Sequence, residues 1–211
     1  MTAPKIKYYT KTELDRHRFF NLIIATTGLE NPKDETFLKL DNACSKCQAG
    51  RQFRIPFKVR QNTMGKKLVD QNQRYGFLIF QNSLVEKIKQ ENLTGIDFHK
   101  VEMGRNNTDF KYGEITNELP PMSAESVIKK SDVCTKCKRS GHYSNYDKID
   151  QMVFSKTILD NLELDFYKTW EYYGIWDMGQ NLQTIIVSKR VRELLESLKL
   201  RHIKFEPIFE L

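Results

Sequence analysis

The sequence predicts an α+β fold made of two related strand–helix–strand halves. Three observations carry that expectation: a gap-free internal repeat, a CxxC pair upstream of each copy, and a strictly alternating segment after the first pair. They place the 211 residues in a single domain, with halves at about 44–102 and 134–208.

Before the first half, residues 1–43 read as a helix-containing segment whose longest apolar stretch, Leu22-Ile23-Ile24-Ala25, is core-sized rather than membrane-sized. No apolar leader is evident near Met1, so the chain is expected in the cytoplasm, with no membrane partner. Residues 51–60 alternate: Phe53, Ile55, Phe57 and Val59 share one face, and Arg54, Pro56, Lys58 and Arg60 the other. That is a half-buried strand, which Pro56 pushes to a sheet edge because it cannot donate to a ladder.

The repeat follows. Residues 78–101, opening on Leu78-Ile79-Phe80, align with residues 185–208, opening on Ile185-Ile186-Val187, at an offset of 107. Five of 24 positions are identical, among them Ile79 with Ile186 and Phe98 with Phe205. The shared apolar pattern is the stronger signal, since Leu84 and Ile88 fall on Val191 and Leu195. Each copy reads strand, helix, strand. Asn82 or Ser83 is expected to cap the first helix, Ser83 forming a capping box with Glu86, and Ser188 the second. The closing strands are expected from Gly95 to Val101 and from His202 to Ile208. Residues 103–125 are polar, carry Gly104, Gly113 and Pro120-Pro121, and read mostly as the connection between halves. Leu162, Phe166, Trp170 and Tyr173 fall at helical spacing and are expected to pack in the core, with an interface anchor as the competing reading.

Net charge is +7 and lies at one end: 14 Lys and Arg face 7 Asp and Glu in residues 1–70, against 12 and 11 in residues 71–150. Lys46, Arg51, Arg54, Lys58, Arg60, Lys66 and Lys67 meet no acidic residue between Asp41 and Asp70. Such a field suits an acidic partner surface or a phosphate backbone, or is simply a solvated basic face.

All four cysteines sit in two CxxC pairs, Cys44/Cys47 and Cys134/Cys137, with 86 residues between the pairs. Two such turns can complete a tetrahedral thiolate shell, and one structural zinc ion is the expected occupant. Neighbouring Lys46, Lys136, Lys138 and Arg139 are expected to favour the thiolate form. Two disulfides, a redox dithiol, or a mixed site including His142 are the alternatives. Catalytic constellations are missing: no HExxH helix, no GxSxG elbow and no phosphate-cradling glycine loop. His17, His99, His142 and His202 read as structural, and no enzymatic activity is expected.

The two CxxC pairs, followed by Ile185-Ile186-Val187-Ser188-Lys189-Arg190-Val191-Arg192 and closing on Phe205-Glu206-Pro207-Ile208, resemble the double-CXXCG immunity proteins of bacteria. Related immunity families end in a similar strand–helix–strand segment. The resemblance implies a protein that binds and neutralises a cognate contact-delivered or polymorphic toxin domain. Where that motif has glycine after each pair, this chain has Gln48 and Lys138. Arg54, Lys58 and Arg60 are the expected partner contacts. The alternative is a nucleic-acid-binding zinc protein using the same basic strand 51–60.

Overall fold

A strand, a nine-residue helix and a second strand recur at the spacing of the sequence repeat. The computed structural model describes residues 9–24, 38–59, 67–71, 77–103, 106–126, 129–143, 151–173, 182–200 and 202–211. In chain order the first part holds α1 (Lys11–Leu14), β1 (Phe19–Ile24), β2 (Leu38–Lys39), β3 (Gln52–Phe53), β4 (Phe57–Val59), β5 (Val69–Gln71), β6 (Leu78–Gln81), α2 (Asn82–Gln90), β7 (Asp97–Met103) and β8 (Asn106–Glu114). The second holds β9 (Lys129–Val133), β10 (Ser140–Tyr143), β11 (Val153–Phe154), α3 (Lys156–Asp160), β12 (Phe166–Tyr173), β13 (Leu182–Ser188), α4 (Lys189–Ser197), β14 (Ile203–Pro207) and β15 (Phe209–Glu210).

The fold is α+β, as expected. Helices α2 and α4 begin and end at positions related by the repeat offset, and both are followed by a residue in the left-handed region, Asn92 (φ 50°) and Lys199 (φ 52°). Each helix closes a split unit. Strands β6 and β7 run parallel with antiparallel β8 between them, and β13 and β14 run parallel with antiparallel β1 between them. The equivalent middle strand therefore comes from after the unit in one half and from before it in the other. Among the described residues the two larger sheets have the orders β4-β7-β8-β6-β5 and β14-β1-β13-β12-β10-β9, beside the two-stranded pairs β2-β3 and β11-β15.

Alternation along the strands sends neighbouring residues to opposite faces. Leu78 and Phe80 of β6, Phe20, Leu22 and Ile24 of β1, and Ile185 and Val187 of β13 join Leu84, Val85 and Ile88 of α2 and Val191 and Leu195 of α4 in one core shared by both halves. The outer face of the six-stranded sheet buries Phe19, Ile186 and Tyr167 against Met152, Phe154 and Leu159. The outer face of the other sheet buries Phe57, Phe77, Ile79, Val101 and Tyr112.

Several expectations require correction. Residues 103–125 are not mainly a connection, because β8 occupies their first half as a central strand. Tyr112 and Gly113 are buried there, and a Cβ on Gly113 would lie 2.5 Å from the Phe80 ring. Residues 166–173 form a strand, not a helix: Phe166, Tyr167 and Tyr172 are buried in three different clusters. Residues 51–60 do not form one strand. The ladder breaks at Arg54–Pro56, where Pro56 lacks an N–H, leaving β3 paired with β2 and β4 at a sheet edge. Phe53 and Phe57 still meet at 5.5 Å, but Ile55 faces solvent. Ser188 caps α4 through the Val191 N–H; α2 starts straight from β6 at Gln81 with no side-chain cap, and Asn82 donates to Asp109 instead.

The halves are joined by a carboxylate that no motif announces. Asp165, 4% exposed, accepts from the Thr94 N–H after α2, from the Ser188 hydroxyl and from Arg190 at the start of α4. The Thr94 carbonyl accepts the N–H groups of Asp165 and Phe166 in return. Gly95, at φ +90°, permits this approach, since a Cβ there would stand 2.5 Å from the Phe166 carbonyl oxygen.

Arg192 on α4 is fully buried, with its guanidinium over the Phe20 ring at 4.7 Å. It pairs with Asp15 after α1 and, at 3.6 Å through Nε, with Glu196; among the described residues its Nε and Nη1 make no hydrogen bond. Lys11 and Arg192 hydrogen-bond the Asp15 carboxylate and hold its pKa at about 2, below the ordinary 3.8. A carboxyl depressed on folding stabilises the native state above its unfolded pKa and loses that contribution as pH falls through the folded value. Asp15→Asn is expected to lower the melting temperature at neutral pH and to flatten its decline between about pH 4 and pH 2, read by circular dichroism. Arg192→Met, which removes the charge rather than orphaning it, is expected to lower the neutral-pH melting temperature less than Asp15→Asn.

Candidate metal centre

Each cysteine pair forms the same backbone turn. In the first, the Cys44 N–H donates to Ala49 O at 2.8 Å and the Gln48 N–H to Cys44 O at 2.7 Å. In the second, ninety positions later, the Cys134 N–H donates to Arg139 O at 3.0 Å and the Lys138 N–H to Cys134 O at 2.9 Å. Closing these turns requires a left-handed residue after the second cysteine, and Gln48 (φ 57°) and Lys138 (φ 62°) supply it. These are the positions at which the resembled motif carries glycine, the residue that adopts this conformation without a Cβ clash. Gln48 and Lys138 thus close both turns in that conformation.

The turns face each other with an approximate twofold relation. Lys46 Nζ donates to Thr135 Oγ1 at 3.0 Å, and Lys136 Nζ donates to Ser45 Oγ at 2.6 Å. Between them lie the four sulfur atoms, all within 4.8 Å of one another. Cys44 Sγ is 3.8 Å from Cys134 Sγ, and Cys47 Sγ is 3.5 Å from Cys137 Sγ. All four cysteines are free, since a disulfide needs sulfurs about 2 Å apart. Metal–sulfur bonds of about 2.3 Å in a tetrahedron instead place sulfurs about 3.8 Å apart. The cluster fits a single metal ion.

Backbone amides aimed at sulfur set the acidity. The Cys47 N–H, with the Lys46 N–H behind it, draws the Cys44 thiol down to about 6, and the Cys137 N–H likewise lowers Cys134. Burial pushes Cys47 and Cys137 up, although Cys47 accepts from the Ala49 N–H and Cys137 from the Arg139 N–H. The expectation that neighbouring lysines favour the thiolates is thus corrected: amides do most of this, while the Lys46 and Lys136 ammonium groups reach across to hydroxyls. Four thiolates this close repel, and a cation at their centre converts that repulsion into attraction.

A shell of other side chains supports the turns. Tyr172 of β12 packs on Cys47, Ala49 and Cys134, and its hydroxyl accepts the Gly50 N–H at 2.8 Å. Arg139 lies over the rings of Trp170 and Tyr172, 5.5 and 5.6 Å from their centroids, and donates to Glu118 at 2.7 Å. Tyr172 is not among the expected site residues; the alternation within residues 166–173 is the signal that could have found it.

The expected partner contacts lie apart from the sulfurs. Arg54 is exposed in the break between β3 and β4, Lys58 is exposed on β4 and pairs with Glu102 at 3.8 Å, and Arg60 lies outside the described residues. His17 and His202 bond the carbonyls of Ile208 and Val69, and His99 bonds Glu114. His142 is in β10, with its side chain outside the described residues. Among the described residues no helix is long and apolar enough to cross a membrane. Comparison with protein families and with curated proteins finds no match to this chain.

Purified protein is expected to carry about one metal ion per chain by elemental analysis. Cys134→Ser is expected to lose that ion and about 3 kcal/mol or more of stability by denaturant unfolding; a metal-free protein of unchanged stability would contradict the assignment. Gln48→Gly and Lys138→Gly each relieve a left-handed side chain and are expected to add about 0.5–1 kcal/mol by the same assay, with the metal retained.

Proposed function

We propose that the chain is a zinc-stapled immunity protein that binds a toxin domain and blocks it stoichiometrically. The observation that carries this reading is the left-handed conformation at Gln48 and Lys138, which supplies the glycine geometry of the double-CXXCG motif in both turns. Four thiolates suit zinc, and a closed four-sulfur shell leaves no coordination position for a substrate or an activated water. That favours a structural ion and a binding function over metal catalysis.

Exposed apolar side chains near the turns support a protein partner. Leu40 precedes the first turn and is 45% exposed, Val133 precedes the second at 53%, and Ile55 stands in the break after β3 at 49%. Exposed Lys46, Lys136 and Lys138 in the turns add positive charge. Apolar contacts ringed by bases fit an acidic protein surface, the charges speeding encounter and the apolar groups providing hold.

Nucleic-acid binding is the alternative, favoured by the same lysines. It sits less well with Lys58 paired to Glu102 and with Lys46 and Lys136 turned to Thr135 and Ser45. The readings differ in salt response. Phosphate binding weakens by about a thousandfold or more between 50 and 200 mM salt when about six contacts are made, and a packed protein interface loses far less.

The test is to sequence the genes flanking this one for a toxin domain and to co-express that domain with this chain. A 1:1 complex and rescue of growth are expected. Ile55→Asp should weaken that complex about tenfold or more, read by titration calorimetry. Absence of both complex and protection, or tight binding to duplex DNA that collapses with salt, would contradict the proposal.

A further inference from the structure

A cleft of about 160 Å³ opens between the two sheets, beside the first knuckle. Phe53, Phe77 and Tyr112 line one side, and Lys168, Tyr172 and Gln183 the other. Lys168 stands on β12, two residues beyond Phe166 and so on the same, inward face. It is partly buried, yet among the described residues no hydrogen bond or salt bridge reaches its ammonium group. Burial lowers its pKa, the sign of a charge poorly solvated where it stands. Two carboxylates act on Lys168 from a distance, and each has its own partner: Glu118 with Arg139 and Gln183 at 2.7 and 2.5 Å, and Glu114, which also lines the cleft, with His99 at 3.0 Å. The Tyr112 hydroxyl also makes no hydrogen bond among the described residues.

A half-buried ammonium normally has a partner, and an aromatic wall normally packs. Here the ammonium faces an open space, bordered by the rings of Phe53, Phe77 and Tyr112, which pack on one another with Phe53 5.6 Å from each of the other two. The cleft's volume of about 160 Å³ is similar to the roughly 150 Å³ of an engineered cavity that holds benzene, room enough for one ring. We infer that the cleft binds a small monocyclic aromatic carboxylate, its ring among Phe53, Phe77, Tyr112 and Tyr172 and its carboxylate on Lys168, with the Tyr112 hydroxyl as a second donor. Arg51, which also lines the cleft, adds positive charge to the site. The wall that carries Arg51 and Phe53 leaves the first knuckle directly, and the Gly50–Tyr172 hydrogen bond pins it to the opposite side. The site is thus framed by the metal centre but independent of any toxin partner.

The test is titration calorimetry of the full chain with benzoate, with benzamide as the neutral isostere. Benzoate is expected to saturate at one per chain with a dissociation constant of about 1 mM or tighter. Benzamide is expected to bind about tenfold or more weakly, and Lys168→Met to weaken benzoate by a similar factor while Lys58→Met leaves it unchanged. Equal affinity for benzoate and benzamide in the unaltered protein, or no saturation by about 10 mM benzoate, would overturn the inference. That comparison needs no variant, so it stands even if Lys168→Met does not fold; a folded Lys168→Met that binds benzoate undiminished would overturn it as well.

Discussion

Four sulfur atoms from two turns ninety positions apart share a space 4.8 Å across, and much of the molecule is arranged to hold them there. Unassisted, the grouping is unfavourable. Amides pull Cys44 and Cys134 toward the thiolate while burial pushes Cys47 and Cys137 toward the thiol, so one cluster holds opposing tendencies. A bound metal cation would resolve them by taking all four as thiolates. It would also close an 86-residue loop, an ordering that favours the folded chain because the unfolded one does not hold those ends together. Tyr172, Gly50 and Arg139 then lock onto the turns, and the wall of the inter-sheet cleft follows from the first of them.

The rest of the architecture gives this clasp two related bodies to join. Each contains a split strand–helix–strand unit, but the middle strand is β8 in one and β1 in the other. The second unit therefore depends on a strand from the far end of the chain, and the halves cannot be separated by a single cut. Their inner faces and both helices share one core, and Asp165 binds the end of α2 to the beginning of α4. The metal centre and the carboxylate hub are thus two polar links around a common apolar interior.

Much of this was legible in the sequence, and the gaps have physical reasons. The repeat showed because Leu84, Ile88, Val191 and Leu195 keep helical periodicity under core packing, whatever the surface residues do. The cysteines showed because all four fall in CxxC pairs, a spacing that puts two sulfurs on one side of an ion. Strand β8 was hidden because it is polar over Asn106–Asp109 and is held by neighbours rather than by its own pattern. The strand over residues 166–173 was masked by an accidental helical spacing of Leu162, Phe166, Trp170 and Tyr173. Asp165 and Lys168 carry no motif at all, since a lone acidic or basic residue acquires meaning only from what folding brings to it.

Four clustered sulfurs that could hold a metal ion stand near exposed Leu40, Val133 and Ile55. That is the common ground between the partner-binding reading and the aromatic cleft, and both rest on the turns keeping their geometry around an ion. X-ray absorption at the edge of the metal that copurifies with the protein measures that shell directly. The account predicts four sulfur scatterers at about 2.3 Å and no oxygen or nitrogen in the first coordination sphere; a shell with two or fewer sulfurs would contradict it.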